Sequence, residues 1–191
     1  IKDCVSLQKA ILGFAEKNID VIIPGLTHTQ HAVCVLLSHQ VLAYAEMIER
    51  DKQRLKQAQE RVDEMPLGSC ALAGTALTID RKYTASLLGF SKVSQNSIDS
   101  VSDRDFVVEI LSCLSMLFMH TSRICEDFIL FSSSSLQYID LSQAYCSGSS
   151  IMPQKKNADS LELIRSATSK VYADLVSVLV MMKGLPYTYN R

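Results

Sequence analysis

Residues 147–157, which read SGSSIMPQKKN, concentrate side chains that can do acid–base chemistry. The hydroxyl of Ser149 stands near two lysines, Lys155 and Lys156, just before a predicted helix that begins at residue 158. Amides at a helix N-terminus and lysine ammonium groups both favour anions, so this segment predicts a carboxylate-binding site. The same positive field would stabilise an ionised serine, which is the form that a serine base requires.

A histidine and an arginine lie in two further polar segments. His28 follows a proline–glycine turn and is predicted to lie near the N-terminus of the second helix, where it could act as acid or base near neutral pH. The structural alternative is that Thr27 or Thr29 caps that helix and the histidine is a surface residue. Arg104 lies in residues 95–106, whose default interpretation is a cap for the third helix.

Structural explanations also cover the remaining candidates. In the serine-containing segment, Glu162 could form a capping box with Asp159, which would leave a solvated loop in front of the helix. His31 is predicted to be a first-turn helix residue without a chemical role. His39 and His120 lie on apolar faces and are predicted to be packed core histidines.

Composition excludes several classes of protein. Of the 191 residues, 48% are hydrophobic, which suffices for a sizeable core, and the net charge is −1, which indicates no nucleic-acid or anionic-membrane partner. Only 7 glycines and 4 prolines are present, which disfavours a turn-rich β sandwich and favours long helices. The uncharged run 110–122 is shorter than the roughly 20 residues of a spanning helix, so none is predicted. The 6 cysteines lack metal-ligand spacing and are predicted to be reduced thiols.

Hydrophobic periodicity predicts long helices between the proline–glycine turns. The predicted ranges are 1–18, 31–63, 79–89, 103–134 and 158–183. The second helix is apolar in its first half and charged over residues 49–64, so we expect that second half to project into solvent. The last two long helices carry apolar residues on more than one stripe, which indicates burial on several sides, and another subunit is the expected covering surface.

Several stretches together resemble one enzyme family. The pattern GSSxMPxKxN resembles the signature loop of the fumarase/aspartase superfamily, and QKKN followed by DSLE is similar to its argininosuccinate lyase/delta-crystallin family. The resemblance extends over essentially all 191 residues. The stretches that carry it are residues 24–30, 66–74, 102–106, 148–157, 159–162 and 183–190.

The resemblance implies a role for each matching residue. Ser149 would be the base that removes the proton next to a carboxylate, and His28 would be the acid/base partner that assists departure of the guanidinium nitrogen. Lys155 and Asn157 would bind that carboxylate and stabilise the aci-carboxylate intermediate, while Glu162 would orient the histidine. The residues implied to contact substrate are Thr27, Arg104 and Tyr189. The implied reaction converts argininosuccinate into arginine and fumarate, with no metal and no cofactor.

The implied architecture is all-α: a long up-and-down helical bundle that forms the core of a homotetramer, with active sites shared between subunits. Residues 1–191 would be the central domain, without the N-terminal and C-terminal domains, so this stretch alone is expected to be inactive. We expect no nucleic-acid or membrane partner and a cytoplasmic location; a plastid location would need a transit peptide before residue 1.

The sequence departs from the family pattern in places, and two alternatives to the lyase interpretation stay open. Ala158 stands where a proline usually begins the helix, and Cys70 and Asp103 replace a usual glycine and glutamate, although none of these removes a charge that was assigned a role. The first alternative is another fumarate-releasing lyase of the superfamily. The second is a catalytically inactive, crystallin-like structural protein.

Overall fold

Helices make up most of the computed structural model, which describes residues 1–190. The α-helices are α1 (Lys2–Lys17), α2 (Leu37–Val62), α3 (Arg81–Leu88), α4 (Ser97–Ser102), α5 (Asp105–Phe131) and α6 (Asp159–Met182). The strands are β1 (Ile22–Thr27), β2 (Gln30–Leu36), β3 (Glu64–Met65) and β4 (Lys92–Val93). Strands β1 and β2 form an antiparallel hairpin, and β3 and β4 form a two-residue parallel pair. The predicted helical class is confirmed, and the hairpin is an addition to it.

The prediction that residues 31–36 begin the second helix is wrong, because these residues form strand β2. Val33 and Val35 alternate along this stretch, and β-branched side chains at every second position suit a strand. Gly25 lies opposite, where a Cβ atom would come within 2.9 Å of the Val33 carbonyl oxygen, so only glycine allows this approach. His31 is therefore a strand residue and not a first-turn helix residue.

Side-chain caps set the starts of the helices in the middle of the chain. The Asn96 Oδ1 accepts hydrogen bonds from the N–H groups of Ile98 (2.9 Å) and Asp99 (3.1 Å), and this cap starts α4 in a segment that was predicted to be a loop. The Asp103 Oδ1 accepts from the N–H of Asp105 at 2.8 Å where α5 begins. Such caps satisfy amides that would otherwise lack partners in the first turn.

The chain divides into two compact units, and the first contains residues 1–53 and 114–172. Its core includes an aromatic cluster in which the Phe128 ring lies 6.2 Å from Phe14 and 6.0 Å from Tyr44. The Tyr44 hydroxyl donates a 2.8 Å hydrogen bond to Asp127 Oδ2, and burial raises the pKa of this tyrosine. The phenol therefore stays protonated and continues to donate to the carboxylate.

The second unit contains residues 54–113 and 173–190, and Arg81 joins two of its segments. Its guanidinium donates to the Leu67 carbonyl (2.8 Å), to the Ser94 carbonyl (3.0 Å) and to the Ser94 hydroxyl (2.8 Å). A Cβ atom on Gly68 would come within 2.9 Å of the Arg81 side chain. The glycine thus makes room for the arginine that joins Leu67 to Ser94, the residue after β4.

Helix α6 leaves much apolar surface exposed within the described chain, whereas most residues of α5 are half-buried. By length and composition α5 could cross a membrane, a test that core helices of soluble proteins also pass, and 22% of its most apolar window is buried. The sequence predicted no spanning helix, because the uncharged run 110–122 that was counted ends before Arg123. On α6, Val176 and Val180 are 57% and 67% exposed. Coverage of these faces by another subunit stays a prediction.

Candidate functional site

The serine-containing loop lies in the first unit, and a backbone bridge joins its two ends. Ser147 and Asn157 form an isolated antiparallel bridge, with N–H to carbonyl distances of 3.1 and 2.8 Å, so the nine residues between them form a closed loop. The Asn157 side-chain amide lies 3.5 Å from both the Ser147 hydroxyl and the Gly148 carbonyl. Helix α6 begins two residues later, at Asp159, so the loop precedes a helix N-terminus as predicted.

Within this loop, backbone amides point at the hydroxyl of Ser149. Its Oγ accepts hydrogen bonds from the N–H groups of Ile151 (3.3 Å) and Met152 (3.2 Å), and the side chain is half-buried. Donors directed at an oxygen stabilise its anionic form more than its neutral form. The loop therefore favours ionisation of this serine, whereas the neighbouring Ser150 is exposed and makes no side-chain hydrogen bond within residues 1–190.

The two lysines of the loop have different surroundings. The Lys156 Nζ lies 2.7 Å from Asp140 Oδ1, so its charge is balanced within the chain. Lys155 is exposed, and no carboxylate of the described chain lies within ion-pair distance of it. The ammonium group of Lys155 is thus the cation of this loop that is available to an anionic ligand.

The structure places His28 at the tip of the β1–β2 hairpin and not at a helix N-terminus, so the predicted helix start there is wrong. His28 and Thr29 form the two-residue turn, and both have positive φ angles, 52° and 61°. Left-handed conformations are costly for side chains other than glycine, most of all for a β-branched threonine, and such strain concentrates at functional sites. The imidazole is exposed, as is the neighbouring Thr27.

Glu162 lies in the first turn of α6 and is exposed. Its carboxylate contributes to the raised pKa of Arg165, whose main cause is the hydrogen bond from Arg165 to Glu126. No hydrogen bond or ion pair within residues 1–190 joins Glu162 to His28, or either of them to Ser149. Over the same residues, no cluster of three or more His, Cys, Asp or Glu side chains is arranged to hold a metal ion.

Arg104 and Tyr189 both line a cavity of about 790 Å³ in the second unit. The half-buried Arg104 side chain donates to the Asp103 carbonyl, and no carboxylate within residues 1–190 pairs with it. The Ser69 hydroxyl, also on the cavity wall, is buried without a hydrogen-bond partner in the described chain. A buried hydroxyl without a protein partner indicates a water or ligand partner. Sequence reasoning missed Ser69, although residues 66–74 carried part of the family resemblance.

The other two histidines differ from each other. His39 is exposed, so its prediction as a core residue is wrong. His120 is buried as predicted, and its Nδ1 lies 2.6 Å from Asp51 Oδ2. Asp51 is 1% exposed, which corrects the prediction that the whole charged half of α2 is solvated. The imidazole supplies one of the polar contacts that such a buried carboxylate requires.

Comparison with known proteins shows the family to which the chain belongs. A sequence profile described as a lyase matches residues 1–173, which is most of the chain. The chain belongs to this lyase family. The serine-containing loop, the hairpin tip and Arg104 all lie inside the matched region.

Several known proteins are similar over nearly the whole chain. An argininosuccinate lyase from Caldicellulosiruptor bescii is 54% identical over 186 residues, which cover 97% of this chain and 40% of the relative. A crystal structure of an EDDS lyase in complex with formate superposes with a TM-score of 0.96 at 30% identity, covering 99% of this chain and 38% of that one. A class II fumarase from Schistosoma mansoni, at 17% identity and a TM-score of 0.81 over 97% of this chain and 44% of its own, shares the fold. The chain thus spans about 40% of the length of the curated relatives it matches.

Proposed function

We propose that this chain is the central helical part of an argininosuccinate lyase, which cleaves argininosuccinate into arginine and fumarate. The observation that carries the proposal is the loop in which two amides point at Ser149 Oγ while Lys155 lacks a partner carboxylate in the described chain. This arrangement suits a base that works beside a bound carboxylate. The 54% identity to a curated argininosuccinate lyase supports the choice of substrate.

The proposed reaction is an elimination. Ser149 Oγ takes the proton from the carbon next to a carboxylate of the succinyl group, and the electron pair of that C–H bond moves into the carboxylate. Lys155 and Asn157 stabilise the resulting aci-carboxylate. The pair then returns to form the carbon–carbon double bond of fumarate, the C–N bond breaks, and His28 donates a proton to the departing guanidinium nitrogen, which leaves arginine.

The remaining residues are assigned supporting roles. Glu162 orients and charge-pairs with His28, and Thr27 contacts the substrate near that histidine. Arg104 and Tyr189 bind the substrate from another segment, which their position on a common cavity supports. Because no hydrogen bond or ion pair joins His28, Ser149 and Glu162 to one another within residues 1–190, we propose a homotetramer in which different subunits supply them. We further propose that the enzyme is cytoplasmic.

The test is fumarate release, followed by ultraviolet absorbance, from argininosuccinate by the full-length lyase that contains this chain. We expect Ser149→Ala to lower kcat by about a thousandfold, within the range that a general base contributes. Ser150→Ala is the matched control, because it removes a neighbouring hydroxyl that makes no side-chain hydrogen bond in the described chain; its kcat should stay within about threefold of the parent.

Equal losses in the two serine variants would contradict the assignment of the base. A folded parent that releases no fumarate would contradict the substrate. A panel of other N-substituted aspartates then distinguishes a different lyase of the superfamily from an inactive structural protein. The similarity to an EDDS lyase supports including such compounds in the panel.

A further inference from the structure

The segment after α6 carries one of the proposed substrate contacts, Tyr189, and is short and self-contained. Gly184 ends the helix with a φ of 78°, a conformation that glycine adopts without strain. The Asn190 side-chain amide donates to the Pro186 carbonyl (3.0 Å) and to the Thr188 carbonyl (3.2 Å). The hydrogen bonds of the Asn190 side chain therefore hold residues 184–190 as a turn, but they do not attach that turn to the rest of the unit.

One hydrogen bond does fix the turn against the cavity wall. The Tyr187 hydroxyl donates to Asp99 Oδ1, and Asp99 lines the same cavity as Tyr189. Within residues 1–190, this is the one hydrogen bond that joins residues 184–190 to a part of the chain other than α6. Without it, no hydrogen bond would join the turn to any part of the described chain other than α6.

From this geometry we propose that Tyr187 and Asp99 are positioning residues, which hold Tyr189 at the cavity for substrate binding. The inference rests on the proposed function, because it takes Tyr189 to be a substrate contact. The bond to Asp99, desolvation and the nearby acidic charges raise the pKa of the Tyr187 hydroxyl to about 12, so it stays protonated near neutral pH. The Tyr187–Asp99 bond thus does not depend on pH near neutrality.

The consequence for the reaction is a change in binding and not in chemistry. Tyr189 is assigned to binding and takes no part in the proton transfers proposed for Ser149 and His28. Loss of the bond should therefore weaken ground-state and transition-state binding alike, which raises KM and leaves kcat unchanged. A hydrogen bond to an exposed charged acceptor corresponds to roughly a fivefold effect.

The first measurement compares Tyr187→Phe with the full-length parent in argininosuccinate kinetics. We expect KM to rise about fivefold and kcat to stay within about twofold. The matched control is Tyr83→Phe, because Tyr83 lies in the same unit, is 61% exposed against 66% for Tyr187, and its hydroxyl makes no hydrogen bond within residues 1–190. In an Asp99→Ala background, Tyr187→Phe should change KM no further, because the acceptor is already gone.

A second measurement tests the bond independently of the reaction. Hydrogen–deuterium exchange, read by mass spectrometry on peptides that contain residues 184–190, should be about fivefold faster in Tyr187→Phe than in the parent and unchanged in Tyr83→Phe. Unchanged exchange in Tyr187→Phe overturns the proposed bond whatever the enzyme does. Faster exchange with an unchanged KM overturns the positioning role. If the parent is inactive, the proposed function fails, and the exchange measurement still decides whether the bond exists.

Discussion

At the residue scale, the buried hydroxyl of Ser69 lines the cavity and has no hydrogen-bond partner in the described chain. We expect Ser69→Ala in the full-length lyase to raise KM for argininosuccinate by roughly five- to tenfold, because a cavity hydroxyl that hydrogen-bonds the ligand would be lost. Steady-state kinetics check this. Ser115→Ala is the control, because Ser115 also has a buried hydroxyl without a partner but lies in the first unit; a KM shift of the same size there would rule out the cavity explanation.

A second residue-scale prediction concerns the buried contact between Asp51 and His120. We expect His120→Leu to lower the free energy of unfolding by about 3 kcal/mol, because the buried Asp51 carboxylate loses its imidazole partner. Arg165→Gln, which breaks the exposed pair with Glu126, should cost much less, because exposed ion pairs contribute little to stability. Urea unfolding of the two variants at equal protein concentration provides the comparison, and equal losses would contradict the prediction.

Residues of a local motif could be predicted from the sequence, whereas residues whose partners are distant in the chain could not. Ser149 and Lys155 follow from a dense local motif, so both resemblance and electrostatics identified them. Asp51 lies in a run of charged residues, and its burial depends on a histidine 69 positions away, which no local pattern encodes. Tyr187 gave no signal either, because its partner Asp99 lies 88 positions away.

At the element scale, helices were predicted to within about three residues for α1, α3, α5 and α6, because caps and turns are local. The start of α2 was not predicted correctly, because an apolar run of six residues fits a strand and a helix equally well. The deciding features are the two-residue turn and the close approach at Gly25, which appear only when β1 and β2 pair.

The hairpin turn supplies an element-scale prediction about strain. Thr29→Gly should raise the free energy of unfolding by roughly 0.5–1 kcal/mol, because the strain relieved at φ 61° exceeds the entropy that glycine adds to the unfolded chain. Gln30→Gly, in strand β2 next to the turn, should lower it by a similar amount. Thermal unfolding of both variants is the measurement, and destabilisation by Thr29→Gly would show that the turn is not strained.

Helices α1 and α2 are linked by a polar network that predicts a dependence on pH. Glu49 accepts hydrogen bonds from Lys52, Gln8 and Gln53, and these lower its pKa from 4.5 to about 2. A folded-state pKa below the unfolded value means that the network stabilises the fold above about pH 4.5, and that this stability disappears as the pH falls towards 2. Glu49→Gln should therefore flatten the fall in unfolding temperature between pH 4.5 and 2. A fall as steep as in the parent would contradict the role of this carboxylate.

At the scale of the whole molecule, the exposed apolar residues are what the sequence of one chain explains least. Val176 and Val180 on α6 are more than half exposed, and most residues of α5 are only half-buried within the described chain. Scattered exposed apolar residues are ordinary, but contiguous ones mark interaction surfaces. The sequence could predict that these apolar faces pack against another surface, but it could not identify that surface.

The proposal that subunits share active sites gives a quantitative whole-molecule prediction. If His28 and Ser149 of one site belong to different chains, mixing two inactive full-length variants, His28→Asn and Ser149→Ala, restores sites in which both residues are intact. After the subunits dissociate and reassociate at a one-to-one ratio, each residue of a site is intact half of the time, so about a quarter of the parental activity should return. The measurement is fumarate release before and after reassociation, with each variant treated alone as the control. If both residues of a site came from one chain, every chain would lack one of them, and no mixture could regain activity.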